Sequence, residues 1–205
     1  EIDLLSRLES LSRLITNADI TSIRLVANPD TFSIENAKRA LMSANLYGIN
    51  VDLTIINKIM PKGSSDIYFA KWAEFQNSKV EEAKSNFYPL PVKEIGLYNR
   101  ELRGLEMLRN NAEKTFRNED PAKVFYHGKI FEFINEGSAL RIKIKVPFTE
   151  KDDYGIEYYG DQVIIKVKGP VGFLVNIVPL PAAAIGMKII QARLVNHELD
   201  VLLEK

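Results

Sequence analysis

The spacing of apolar residues changes at Asp120-Pro121, and that change limits what the chain can build. Before it, apolar positions at helical spacing alternate with short apolar runs; after it, strand-like runs follow one another with turn residues between them. The first pattern belongs to α/β units around a parallel sheet, the second to an antiparallel sandwich. The chain therefore reads as α/β over 1–120 followed by all-β over 121–205. The polar, proline-stopped run Asn118-Glu-Asp-Pro121 marks the boundary.

In the first part, Leu4, Leu8, Leu11, Leu14 and Ile15 predict an amphipathic helix. Thr21–Ala27 predicts a strand stopped by Asn28-Pro-Asp30. Ser33 is the expected cap of a helix to Tyr47, with Ile34, Ala37, Leu41 and Ala44 as its buried stripe and Gly48 as its end. Val51–Asn57 is nearly continuous in apolar and β-branched residues, as a buried parallel strand requires. A loop over Pro61–Ser65, a long helix over Asp66–Phe87, an extended piece over Pro89–Ile95 and a helix over Glu101–Phe116 complete this part. Trp72 and Phe75 lie one helical turn apart, a spacing that predicts core.

In the second part, strands are expected at Lys123–Ile134, Ala139–Val146, Gln162–Val167, Phe173–Val178, Lys188–Val195 and Leu199–Leu203. Leu140-Arg-Ile-Lys-Ile-Lys-Val146 alternates with strict period two, the signature of a half-buried antiparallel strand. Tyr159-Gly-Asp161, Lys168-Gly-Pro170 and Asn196-His197 supply turns.

Composition narrows the function classes. Basic and acidic residues balance at 27 each, so no net field draws the chain to nucleic acid. The absence of cysteine excludes disulfides, thiolate metal sites and a cysteine nucleophile, and is compatible with a reducing cytoplasm, the expected location. His127 and His197 stand far apart and make a poor metal site. The chain opens at Glu1-Ile2-Asp3-Leu4, directly inside the first helical repeat and without an initiator methionine, so it is expected to be a portion of a longer protein.

Three stretches, taken in order, resemble a known family. They are Thr21–Arg39, including Asn28-Pro-Asp-Thr-Phe-Ser; Tyr47-Gly-Ile-Asn with the strand ending Ile55-Ile-Asn-Lys-Ile-Met-Pro61; and Phe87-Tyr-Pro-Leu-Pro-Val with Ile95–Gly104. Together they resemble the C-terminal portion of the anion-pump (arsenite-transporting, ArsA-type) and tail-anchored-protein-targeting ATPases. The second part is similar to the α-crystallin-like, small heat-shock-type β-sandwich appended to many bacterial members, through Leu140–Phe148, Gly160–Ile165, Ile177-Val-Pro-Leu-Pro181 and Ala192–Val201. The resemblance implies a partial P-loop-NTPase-type parallel sheet carrying an antiparallel sandwich. It further implies ATP or ADP with magnesium as cofactors of the full-length parent, which would be a homodimer or pseudo-dimer, and a membrane-protein client or membrane pump as partner.

A phosphate-cleaving site of that class needs a glycine-rich loop feeding a helix, with Lys and Ser/Thr for phosphate and magnesium. None of the 11 glycines stands in such a motif, so no catalytic residue is assigned and the loop is expected in the N-terminal part of the parent. What this chain can contribute is the base-binding rim. Ligands of open α/β sheets sit outside the carboxyl ends of the strands, where Asn57 is expected. An asparagine there can start a turn, or it can offer donor and acceptor to adenine. The resemblance favours adenine contact by Asn57, with Gly96 and Leu97 in the loop that covers the base. Gly96 stands where the family often has proline. Glu35 matches a family carboxylate near the nucleotide and the partner subunit, although an acidic residue in a first helical turn is ordinary dipole complementation. Lys62-Gly-Ser-Ser-Asp66 carries no cysteine, which excludes the zinc clasp of the targeting branch. The competing function is a non-enzymatic module that holds hydrophobic clients or oligomerises through the crystallin-like sandwich, whose edge strands could pair.

Overall fold

The computed structural model describes residues 2–61, 67–146, 154–169 and 172–205. Its first part contains α1 (Ile2–Thr16), β1 (Ile23–Ala27), α2 (Thr31–Leu46), β2 (Val51–Ile59), α3 (Ile67–Asn86), β3 (Val92–Gly96) and α4 (Leu105–Phe116). The three strands form a parallel sheet in the order β1-β2-β3. β2 lies centrally because Val51, Leu53 and Ile56 need cover on both faces, and all three are buried. The stripe Ile34, Ala37, Leu41 and Ala44 is buried as expected, and α2 and α3 pack on β1 and β2.

Helix starts differ from the sequence reading for local reasons. Asp30, not Ser33, caps α2: its carboxylate accepts the Ser33 amide at 2.8 Å, while Ser33 Oγ turns back to accept the Asn28 amide at 2.9 Å. α4 begins at Leu105 rather than Glu101, since Gly104 stands at φ 85° and residues 101–103 form no helical turn. The predicted start of α3 at Asp66 and the loop Lys62–Asp66 lie outside the described residues.

The second part holds two antiparallel sheets. One has the order β4-β5-β10-β9, built from β4 (Phe131–Glu136), β5 (Ala139–Lys145), β9 (Lys188–Val195) and β10 (Glu198–Glu204). The other has the order β6-β7-β8, built from β6 (Tyr154–Tyr158), β7 (Gln162–Gly169) and β8 (Gly172–Pro179). The alternation in β5 and β10 sets their register: Leu140 faces Leu203, Ile142 faces Val201 and Ile144 faces Leu199, all six buried. Asn196 and His197, both at positive φ, close the two-residue turn between β9 and β10. β6 is a strand the sequence reading did not include. Pro147 and Phe148, and the predicted turn residue Pro170, lie outside the described residues.

The two parts share one hydrophobic core, and α2 and α3 touch β8 as well as the parallel sheet. Between the parts, residues 121–130 do not form the strand expected from Lys123. Their backbone groups are taken by polar side chains of the first part. Arg24 pairs with the fully buried Asp52 at 3.3 Å and donates to the carbonyls of Pro121 at 2.5 Å and Lys123 at 2.9 Å. Asp52 also accepts the Phe125 amide at 3.1 Å. Asn50 donates to the Tyr126 carbonyl, and the Asn45 amide both accepts from Ile130 N and donates to Phe131 O at 2.7 Å. A chain with its main-chain groups satisfied in this way has no need of a ladder.

Two apolar features stay uncovered. Leu4, Leu5, Leu8, Leu11 and Leu14 on α1 are each about half exposed or more. Trp72 and Phe75 are 42% and 40% exposed; they stack edge-on at 5.8 Å on the surface and do not enter the core expected from their spacing.

Removing one partner of a buried ion pair leaves the other charge uncompensated, at a cost of roughly 3–5 kcal/mol. Arg24→Ala strands the fully buried Asp52 carboxylate and frees the carbonyls of Pro121 and Lys123, so it should cost the upper part of that range, whereas Asp52→Ala leaves a part-exposed Arg24 that keeps both carbonyls and should cost less. Urea unfolding monitored by circular dichroism checks the order; equal, negligible effects would show that the network does not hold the parts together. A second test concerns Glu119, whose carboxyl the Lys93 hydrogen bond holds below the ordinary glutamate range. A lowered carboxyl stabilises above its unfolded value and ceases to do so as pH falls through the lowered one. The stability difference between the parent and Glu119→Gln should therefore be present at neutral pH and vanish on acidification.

Candidate functional site

β2 does not end at Asn57; it continues to Ile59 through a bulge. Ile56 pairs with Glu94 and Ile59 with Gly96, so Asn57 and Lys58 together oppose the single residue Ile95. The extra residue is left out of the ladder, so the strand bends there and the side chains at the bulge are re-aimed. Lys58 takes φ 61°, and its amide donates to Asn57 Oδ1 at 2.9 Å. The kink holds the Asn57 side chain by its oxygen, and among the described residues its amide nitrogen keeps both donors.

Beyond the bulge the chain of β3 turns into the segment 97–104. The Leu97 amide donates to the Ile59 carbonyl at 2.7 Å, which ties the start of this segment to the end of β2. Between the two lies a cleft of about 340 Å³ lined by Asn57, Lys58, Gly96, Leu97, Tyr98, Arg100, Glu101 and Leu102. The three residues singled out from the sequence, Asn57, Gly96 and Leu97, thus meet in one cavity at the carboxyl ends of β2 and β3. Leu97 is 46% exposed and offers an apolar wall. A Cβ placed on Gly96 would meet nothing nearer than the Ile59 carbonyl at 3.8 Å, so the cleft wall there is open.

Tyr98 was not foreseen. Its hydroxyl donates to Asn111 Oδ1 at 3.1 Å, and Lys114 Nζ lies 5.6 Å from its ring centre, so the segment is anchored to α4. The only sequence signal is an aromatic in a loop, followed by polar residues, which is common to many surface turns. Glu101 lines the cleft, whereas Arg103 is exposed and is not part of its lining. Glu35 lies elsewhere, paired with Lys38 at 3.0 Å. His127 and His197 belong to the interdomain segment and the β9–β10 turn.

A volume of this order lies within the range of small-molecule sites, and the donors and apolar wall suit a flat heteroaromatic base. The cleft also carries Lys58 and Arg100, but the chain has no glycine-rich loop of the kind that cradles phosphates beside magnesium. The bulge itself can be tested without any ligand. A non-glycine residue in the left-handed region costs about 1 kcal/mol, so Lys58→Gly should raise stability by up to that amount in urea unfolding. A loss of stability would mean that the lysine side chain contributes more than its backbone strain removes.

Residues 3–116 match the protein family described as "Anion-transporting ATPase". Among curated proteins, the "Putative arsenical pump-driving ATPase 1" of Aquifex aeolicus is 31% identical over 78% of this chain and 42% of its own length. The "Putative arsenical pump-driving ATPase" of Chlorobaculum tepidum is 28% identical over 88% of this chain and 44% of its own length. The chain thus spans less than half the length of these relatives. With more than half of its residues matched by the family, the chain belongs to the anion-transporting ATPases.

Proposed function

We propose that this chain supplies the base-side rim of the nucleotide site of an ATP-hydrolysing protein that drives an anion pump or delivers a membrane-protein client. In this reading Asn57 donates its amide to adenine, Leu97 covers the base and Gly96 leaves room for it. The meeting of Asn57, Gly96 and Leu97 in one cleft at the carboxyl ends of β2 and β3 is the observation that carries the reading. ATP bound with magnesium would supply the bond whose cleavage powers the protein. The phosphate-binding loop would come from the N-terminal part of the parent, and this chain would hold and orient the base. Family membership supports the use of nucleotide and magnesium by the parent.

Two further features fit a larger, nucleotide-closed assembly. β1 is an edge of the parallel sheet with Val26 60% exposed, and the leucine stripe of α1 is uncovered. Both suit contact with the rest of the ATPase or with the second half of a homodimer or pseudo-dimer in the cytoplasm. The antiparallel part would be a crystallin-like interaction domain, the domains dividing near residue 120. A second function, holding clients or oligomerising through that domain without nucleotide, draws on exposed Phe173, Ile190 and Val195 on its strands.

Calorimetric titration with ADP and ATP tests the first reading. Weak binding is expected, and Asn57→Ala should reduce it about tenfold, the worth of one buried hydrogen bond to the ligand. Binding unaffected by the substitution would remove Asn57 from the rim, and turnover of ATP by this chain alone would overturn the division of labour between the parts.

A further inference from the structure

A niche between α2 and β8, mostly apolar in surface but holding buried polar side chains, has no role in the proposed function. It is lined by Glu35, Lys38, Arg39 and Met42 from α2 and by Val175, Asn176 and Ile177 from β8. Lys38 is 4% exposed and Asn176 7%, so both side chains are more than nine-tenths buried. Buried polar groups of this kind are normally hydrogen-bonded. Lys38 Nζ uses one of its three donors, on Glu35 at 3.0 Å. The Asn176 carboxamide has no hydrogen-bond partner among the described residues, although it offers two donors and two acceptor lone pairs. Its polar atoms are not sealed by protein either; among the described residues only Thr54 Oγ1 is both sealed and unpartnered. The amide of Asn176 therefore opens into the niche.

The niche has a volume of about 10 Å³, room for a single oxygen atom. It shares Arg39, Met42 and Ile177 with a wider groove of about 440 Å³, whose wall continues to Pro179. Arg39 is exposed and makes no ion pair among the described residues. Lys38 is already balanced by Glu35, so Arg39 leaves the pair of cavities with one surplus positive charge. A deep donor set, a free guanidinium at the mouth and an apolar wall of Met42, Ile177 and Pro179 define the complement.

We propose that this groove binds a small molecule bearing an oxyanion, phosphate or carboxylate, on an apolar body. One oxygen enters the niche and accepts from Lys38 Nζ and Asn176 Nδ2. Arg39 holds a second oxygen, and the body lies on Met42, Ile177 and Pro179. Such a ligand touches α2 of the parallel-sheet part and β8 of the antiparallel part at once, so its binding fastens one to the other. The site shares no residue with the cleft beside Asn57 and does not depend on nucleotide.

The test is a methyl and amide NMR titration of the 205-residue chain with phenyl phosphate, benzoate and inorganic phosphate. Saturable shifts of the Met42 and Ile177 methyls are expected with phenyl phosphate or benzoate, the tighter of the two naming the oxyanion. Inorganic phosphate, lacking the body, should bind more weakly. Arg39→Ala should weaken binding about tenfold through loss of a charge-assisted pair. Because Arg39 is exposed, that variant keeps the fold, and Asn176→Leu provides an independent check from the floor of the niche. Shifts that do not saturate, or that Arg39→Ala leaves unchanged, would overturn the proposal and leave the niche to a water molecule.

Discussion

Asp52 is the residue on which the arrangement of this chain turns. It sits on the central strand of a parallel sheet with its carboxylate fully out of water, a placement tolerable only with close partners. Arg24 of the neighbouring strand supplies one, and the Phe125 amide supplies another. Arg24 in turn reaches two carbonyls of the segment that leaves α4, and its guanidinium lies over the Phe125 ring at 5.2 Å. Lys93 adds a second cation, bonded to Glu119 and placed near the rings of Phe116 and Phe125. A buried charge, which alone would destabilise the sheet, becomes the point where the antiparallel part is attached.

The same elements span the distance from this attachment to the cleft. β3 carries Lys93 toward one end and Gly96 at the other, while α4 begins after the cleft segment and ends at Phe116. Tyr98, bonded to Asn111, fixes the segment to the side of α4. Two stiff elements therefore connect the cleft wall to the clamp. The bulge at Asn57 and Lys58 is the local irregularity that opens the cleft, because a regular β2 would have kept both side chains in the alternation of the strand.

Much of this was legible in the residues. The nearly continuous apolar and β-branched run from Val51 has the pattern expected of a buried parallel strand and forms one, and the alternation from Leu140 to Val146 sets the register of the antiparallel sheet. What escaped was decided by tertiary contacts. Val124, Phe125 and Ile130 look like strand, yet side chains far away in sequence capture the backbone between them. Tyr154, Ile156 and Tyr158 alternate correctly, but a glycine and a glutamate between them and the polar stretch before them hid β6. Trp72 and Phe75 have core spacing and lie at the surface, because periodicity shows a face without showing what covers it. The candidate cleft was legible in its members and not in its geometry: Asn57 could be placed at a strand end, and the resemblance named it with Gly96 and Leu97, whereas the bulge depends on a mismatch with β3 that spacing within β2 cannot reveal. Neither Lys38 nor Asn176 was marked by any pattern, since their burial arises where two separately patterned parts meet.

The contacts at the attachment have one property in common. Arg24, Asp52, Asn50 and Asn45 all grip main-chain atoms: the carbonyls of Pro121, Lys123, Tyr126 and Phe131, and the amides of Phe125 and Ile130. Main-chain atoms are the same whatever side chains they carry. The polar grip is therefore demanding about its own four residues and indifferent to the letters of its guest, while the Phe125 ring under two cations and the buried Ile130 and Phe131 are the letters that still count. Such a socket lets the rest of the connecting segment drift through evolution at little cost, and it would accept a different β-domain grafted behind it, provided the incoming strand follows the same path and keeps those three side chains.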